Sequence, residues 1–371
     1  MKEIKNIKKP NFLKKLFIKL CRIIGFEIID QSNLYLPTLR KEANENLSSL
    51  GGKNISIPLG ESKITRKVET LDIIIKTCTT INLVTQNKKR IFEKDKSEYT
   101  FRSINSIINS LKFNENDLKN IKIKIYIIDH NSNKEDLVKI ENNLKKIKIK
   151  IYIIDHNSKK EDLMKIENNF KKTNIEFEIL NLDLEKFNKI KTLNKDNPAI
   201  EKNMRSTMAS IRASFDLAKR KSSDLVYFVE DDYIHKKDSI FEMVSAYEKI
   251  SSEQNKELFI CPVDYPYLYK KLDNSQILIG NKYHWRTVNE SLLTFLTSKS
   301  LIGKYWDDLV LMSENEHVPF ETPLHNIYEK EICISPMPSL AMHCTNINSI
   351  FGLSPNIDWV KLWDENETQD R

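Results

Sequence analysis

Leu225-Val226-Tyr227-Phe228-Val229-Glu230-Asp231-Asp232-Tyr233-Ile234-His235 runs five apolar or aromatic residues directly into three consecutive acids. A continuous apolar run of that length reads as a strand covered on both faces, because a half-exposed strand would alternate with polar residues. Three carboxylates at the end of such a strand repel one another and lose hydration, so they need compensating positive charge. In open α/β sheets the carboxyl ends of strands are also where ligands bind. Two readings follow: a divalent-metal site that holds a phosphorylated ligand, or an acidic loop that happens to follow a strand.

Elements on either side of this stretch repeat the βα order. Leu71–Thr79 reads as a first buried strand with the loop after it, and Glu98–Leu111 has helical periodicity. Residues 120–145 and 146–171 form a tandem repeat, identical at 22 of 26 positions. Each copy is a strand ending in Asp129 or Asp155, a polar turn and a short amphipathic helix. Two copies are too few for a solenoid, so the pair reads as a duplication inside an existing fold. Either the sheet gains a parallel strand or one copy bulges from the surface, and right-handed crossovers favour placing the first copy beside the first strand. A strand at Ile175–Leu180 and a helix near 202–219 lead back to Leu225. Downstream we expect a helix at Asp238–Ile250, a strand at Leu258–Cys261, an aromatic loop (Tyr265, Tyr267, Tyr269), a strand at Ser291–Thr297, a helix near Leu301–Met312 and a Pro-rich tail. The predicted fold class is α/β, a mostly parallel central sheet with helices on both faces and a duplicated βα unit.

The 371 residues can hold one large α/β domain or two small ones. Net charge is +7, and residues 1–25 alone carry eight Lys/Arg against a single acid, Glu3. The rest of the chain is therefore balanced, which argues against a nucleic-acid role. Five scattered cysteines without metal spacing, and no evident secretion signal, lead us to expect a reducing cytoplasm. No apolar run approaches the roughly 18–20 residues of a membrane span. Apolar positions 13, 16, 17, 20, 23 and 24, with Lys14, Lys15, Lys19 and Arg22 between them, describe a basic amphipathic helix within residues 8–24. It either lies on an anionic membrane surface, peripheral to the inner face of the cell membrane, or packs on the following domain. We expect three regions: 1–66 (this helix and a connecting arm), 67–345 (the α/β domain) and 346–371 (a tail that is a lid or a packed strap).

Four landmarks together resemble a nucleotide-sugar glycosyltransferase of the GT-A fold, a Rossmann-like architecture, and are similar to glycosyltransferase family 2. They are Ile73-Ile74-Ile75 with Lys76-Thr77-Cys78-Thr79, then Tyr126-Ile127-Ile128-Asp129-His130-Asn131-Ser132. The helix end Ser214–Lys219 leading to Glu230-Asp231-Asp232, and Glu321 in His317–Pro323, complete the set. Departures are the missing Pro of the first loop, His130-Asn131 in the second and Glu230 in place of an Asp.

The resemblance implies an enzyme that moves a sugar from a nucleotide-diphosphate donor to a glycan or lipid-linked acceptor, with inversion, in surface polysaccharide synthesis. It implies Mn²⁺ or Mg²⁺ held by Asp232 with His343, because a hard cation neutralises a departing diphosphate. Thr77 and Asp129 or Asp155 would face the nucleotide, and Glu230 or Asp231 the ribose or a metal-bound water. Glu321 is the expected base for the acceptor hydroxyl, with Glu314 and Glu316 as neighbours that compete for that role.

Other residues keep two readings each. Arg205 and Arg212, seven apart on one helix face, reach a diphosphate or are simply solvated. Trp285 stacks on a sugar ring or sits in the core. His325 orients Glu321 or contacts the acceptor, and His235 caps the next helix. Rival functions are a sugar-nucleotide pyrophosphorylase, which wants a Gly-rich first loop that Lys76–Thr79 is not, and a non-catalytic glycan- or membrane-associated scaffold.

Overall fold

The computed structural model describes residues 12–26, 63–79, 90–129, 132–144, 150–155, 177–181, 187, 189–193, 196–270, 274–345 and 352–367. The chain divides into two compact units, 1–62 and 63–371. In the first, the described element is helix α1 (Phe12–Ile23). Most of the expected arm, residues 27–62, lies outside the described residues.

The second unit begins with β1 (Thr70–Thr77), α2 (Lys96–Phe113) and the single turn α3 (Glu115–Leu118). The repeat follows as β2 (Lys122–Asp129), α4 (Lys134–Leu144) and β3 (Lys150–Asp155), then β4 (Phe177–Asn181). Long α5 (Pro198–Lys221), started by Asn197 accepting from the Ile200 amide and by Pro198 in the first turn, leads into β5 (Leu225–Glu230). Beyond the acids come β6 (Tyr233–His235), α6 (Ser239–Gln254), β7 (Phe259–Ile260), β8 (Ile277–Ile279), β9 (His284–Thr287) and β10 (Phe295–Ser298). The unit closes with α7 (Lys299–Lys304), α8 (Trp306–Glu314), α9 (Thr322–Tyr328), β11 (Cys333–Met337), β12 (Ala341–His343) and α10 (Trp359–Glu365).

Ten strands make one mixed, mostly parallel sheet in the order β4-β3-β2-β1-β5-β10-β7-β11-β9-β8, flanked by helices. The α/β class expected from sequence is what the chain adopts. β10 runs antiparallel to both β5 and β7, and β9 antiparallel to β8 and β11. The duplication widens the sheet rather than bulging from it. β2 lies beside β1 and β3 beside β2, and the register sets each residue next to its own copy, Lys124 by Lys150 through Ile128 by Ile154. β1 and β5 are buried along almost their whole length, as their unbroken apolar runs require.

Chain order reverses between β1 and β5: β2, β3 and β4 continue to one side, while β5 lies on the other. Such a switch point opens a crevice outside the carboxyl ends of the strands. Lys76, Thr77 and Glu230 stand there.

Several expected elements differ. The helix near 301–312 is two, α7 and α8, broken at Tyr305, whose hydroxyl donates to Glu331 at 2.7 Å. The strand at 291–297 is β10 alone, because Ser291 turns away to bond the Tyr328 hydroxyl at 2.8 Å and the His325 ring. The Pro-rich tail contains β11 and β12. His235 does not cap α6. It is buried in β6 against the Tyr227 hydroxyl (2.5 Å) and Ser106 (3.2 Å), and burial pushes its pKa down to about 3. Asp238 takes the cap position.

Asp72, in the middle of the sheet beside Lys124, is fully buried. Its carboxylate has no hydrogen bond of normal geometry among the described residues. Burial raises its pKa, with the Ser222 hydroxyl, Lys124 and Lys299 pulling only part of the way back. A raised carboxyl contributes most below its unfolded pKa, and that contribution is lost as pH climbs through the raised value. Asp72→Asn is therefore expected to raise the melting temperature by a few degrees at pH 8, from relief of about 1–3 kcal/mol of unmet desolvation. Little gain is expected at pH 4. Melting curves across that range check it, and a pH-independent loss of stability would contradict it.

Candidate active site at the strand switch point

Sheet register assembles the crevice. Lys76 is the lateral partner of Glu230, and their side chains pair at 3.2 Å. Thr77 is the partner of Asp129 and donates its hydroxyl to it at 2.8 Å, while Asp129 also accepts from the Ser132 amide at 3.2 Å. Past Glu230 the chain turns at Asp231-Asp232 into β6, which pairs with β12 so that Tyr233 opposes His343. The two rings stack with centroids 4.5 Å apart and planes inclined by 12°. The Cys344 amide donates to the Asp232 carbonyl at 2.8 Å. The small two-stranded sheet thus carries His343 Nε2 to 3.7 Å from Asp232 Oδ1.

The three acids have three different environments. Asp231 points inward and is nearly buried, accepting from Lys96 Nζ, from the Thr100 hydroxyl at 2.7 Å and from the Cys78 amide at 2.8 Å. With both oxygens committed, its role is to join α2 and the end of β1 to the acid turn. Glu230 is partly exposed to the crevice beside Lys76. Asp232 is paired with Arg90 at 2.7 Å through Oδ2. Burial opposes its ionisation, but His343, Arg90 and Lys96 outweigh that and hold its carboxyl well below the ordinary range.

Glu321 enters from the opposite half of the sheet at the start of α9, where its carbonyl accepts from the amides of Leu324 (2.9 Å) and His325 (3.0 Å). Its carboxyl is pushed up to about 7, first by burial and then by the negative charge of Glu230, with Lys76 and His343 drawing it partly back. Glu321 therefore lies near the acid turn, within electrostatic reach of Glu230, Lys76 and His343. Its two sequence neighbours are otherwise occupied: Glu314 pairs with Arg212 at 3.2 Å, and Glu316 accepts from the Leu193 amide at 2.7 Å. His325 bonds the Ser291 backbone.

Two expected binding residues have other partners. Trp285 is wholly buried and cannot present a ring to a sugar. It packs on Gly280, where a Cβ would fall 2.3 Å from Nε1, so only glycine fits there. Arg212 is engaged by Asp216 and Glu314, each at 3.2 Å, with its guanidinium over the Trp306 ring. The Asp155 side chain lies outside the described residues, although its backbone ends β3 one strand further from β1 than Asp129.

Arg90 and Lys96 were not foreseen. Lys96 carried one signal, since a lysine in the first turn of a helix opposes the macrodipole and so calls for another reason to be there. Arg90 lies in the basic run Lys88-Lys89-Arg90, and nothing in the sequence distinguishes it.

Among the described residues, Asp232 and His343 bring an oxygen and an imidazole donor to within 3.7 Å of each other, a pair that could hold a divalent cation. Among the described residues no group of three or more His, Cys, Asp and Glu forms a metal cage. Two protein ligands suit an ion whose other positions are filled by phosphate oxygens, as small hard cations are commonly bound. An imidazole ligand favours Mn²⁺ over Mg²⁺.

Lys96→Met would leave Asp231 charged, nearly buried and without its cation. It is expected to cost about 3–5 kcal/mol in chemical denaturation. A loss below about 1 kcal/mol would show that Asp231 is not held as described.

No protein-family model and no curated protein matches the chain. Among solved structures it is similar to that of UDP-glucose pyrophosphorylase complexed with UDP-glucose, at 8% identity and a TM-score of 0.34, over 81% of this chain and 97% of that one. A likeness so slight carries neither an activity nor a ligand over to this chain.

Proposed function

We propose that the chain is a glycosyltransferase, using a sugar joined to a nucleoside diphosphate as donor and a hydroxyl group as acceptor, with the switch-point crevice as its active site. The observation that carries this reading is the company Glu321 keeps: its carboxyl lies within electrostatic reach of Glu230, Lys76 and His343, and burial together with the charge of Glu230 pushes it up to about 7. A base works best when its pKa lies near the operating pH. In the reaction the acceptor oxygen bonds to the anomeric carbon and its proton passes to Glu321. The bond from that carbon to the diphosphate breaks, and its electron pair leaves on the phosphate oxygen. A carboxylate that activates the acceptor directly, from the side opposite the diphosphate, implies inversion at carbon.

The leaving diphosphate needs positive charge. Lys76 and Arg90 stand at the acid turn to supply part of it. Asp232 and His343 would hold the divalent cation, which when bound adds Lewis-acid stabilisation of the leaving group. Glu230, kept in place by Lys76, faces the crevice as an acceptor for ribose hydroxyls. Asp231, Thr77 and Asp129 support the walls through bonds to neighbouring strands and turns. A nucleotidyl transfer is the poorer fit, because its phosphate nucleophile is already ionised and needs no base.

The test is donor consumption by the purified chain, with Mn²⁺ and a panel of nucleoside-diphosphate sugars, across pH. We expect kcat/KM to climb about tenfold per pH unit up to about pH 7, as Glu321 loses its proton, and then to level off. Glu321→Gln should lower kcat by about 10²–10⁴-fold and remove that limb while leaving the melting temperature near wild type. A Glu321→Gln protein within tenfold of wild type would contradict the assignment.

A further inference from the structure

We infer that α1 is a surface anchor that lies flat on an anionic lipid bilayer. The inference is independent of the enzymatic reading, since it rests on the first unit alone. Phe12, Leu13, Leu16, Phe17, Leu20 and Ile23 of the helix, with Ile24 and Phe26 just beyond it, are between 47 and 77% exposed. At 3.6 residues per turn the apolar positions from Phe12 to Ile24 fall within one arc of about 140°, and Lys14, Lys15, Lys19 and Arg22 occupy the opposite arc. Ile18 and Cys21 are the only apolar residues outside the stripe. Scattered apolar side chains on a protein surface need no explanation, but a contiguous row of this kind does.

Charge identifies the occupant. Residues 1–25 hold eight basic side chains against one acid, equal to the entire net charge of the chain. A second copy of the same face would bring two such clusters together, which like-charge repulsion disfavours. A negatively charged bilayer satisfies both arcs at once, with the apolar row in the headgroup–acyl boundary and the basic row among the headgroups. Twelve residues of helix span about 18 Å, short of the roughly 30 Å hydrocarbon core, so the helix rests on the bilayer and does not cross it. Among the described residues no helix is long and apolar enough to cross a membrane.

The test uses the full chain and co-sedimentation with extruded vesicles of phosphatidylcholine, alone or with about a third phosphatidylglycerol. Partitioning onto the anionic vesicles should exceed that onto neutral ones by at least about 100-fold at about 0.1 M salt, and the difference should collapse near 1 M, where screening shortens to about 3 Å. A Leu16→Glu, Leu20→Glu double variant should stay in the supernatant, with the thermal melt of the larger unit unchanged. Absence of binding to either vesicle, equal binding to both, or wild-type binding by the double variant would overturn the assignment. So would a dimer in sedimentation velocity that the double variant abolishes, since that result gives the face to a second copy.

Discussion

Three adjacent carboxylates at the end of a strand buried on both faces cannot persist without compensation, and the way this chain supplies it organises the surrounding structure. Each acid receives its own cation from a different part of the sequence: Lys76 from the neighbouring strand for Glu230, Lys96 from the first turn of α2 for Asp231, and Arg90 for Asp232. In a medium of low polarisability an unpaired charge costs several kcal/mol, which makes the nearly buried Lys96–Asp231 pair the most binding of the three and the half-open Lys76–Glu230 pair the least. Together they fix α2, the end of β1 and the segment at 90–92 to the strand end. They also give the acids different surroundings, because Asp231 spends both oxygens on Lys96, Thr100 and Cys78, Asp232 lies between Arg90 and His343, and Glu230 is partly exposed.

Arg90 owes its position to a second, smaller core. Ile91, Tyr99, Ile234, Met342, Cys344, Leu362 and Trp363 pack together on the outer side of the acid turn. Trp363 stacks on Phe92 with centroids 4.1 Å apart and meets the edge of Tyr99, and the Arg102 guanidinium lies 4.3 Å from its ring. The Ile91 amide donates to the Thr345 carbonyl at 3.2 Å, so the chain before α2 is bound to the segment that directly follows the strand carrying His343. The C-terminal helix α10 therefore bears on the acid turn indirectly, by packing against the segment that holds the cation paired with Asp232. Such packing keeps a site in one geometry without touching the reacting atoms.

The sheet was readable in the sequence because its signals are local. Unbroken apolar runs marked β1 and β5, and the duplicated segment announced two strands whose neighbours the crossover rule ordered correctly. The buried strands β7 and β10 were readable as strands but not as antiparallel ones, and the β8–β9 hairpin was not readable at all, being short, partly exposed and fixed by cross-strand partners such as Trp285 against Pro336. The acid turn was legible as three charges that need compensation but not as three environments, since what separates Asp231 from Asp232 is a set of partners brought in from residues 78 to 100 and from 343. His235 shows the same limit. Its spacing from the acids suggested a cap, while Tyr227 and Ser106, which in fact hold it, lie on other elements. Trp285 read as a possible sugar platform because burial of an aromatic ring is a tertiary property, invisible in a stretch of Tyr, His, Trp and Arg.

The most direct measurement of the central claim is the thermal shift of the purified chain with uridine, guanosine, adenosine and cytidine diphosphates, each with and without Mn²⁺. The account predicts stabilisation by one of these nucleotides only when Mn²⁺ is also present, and loss of that stabilisation in Asp232→Asn. An equal shift without Mn²⁺, an unchanged shift in Asp232→Asn, or no shift with any nucleotide would contradict a metal–diphosphate site at the acid turn.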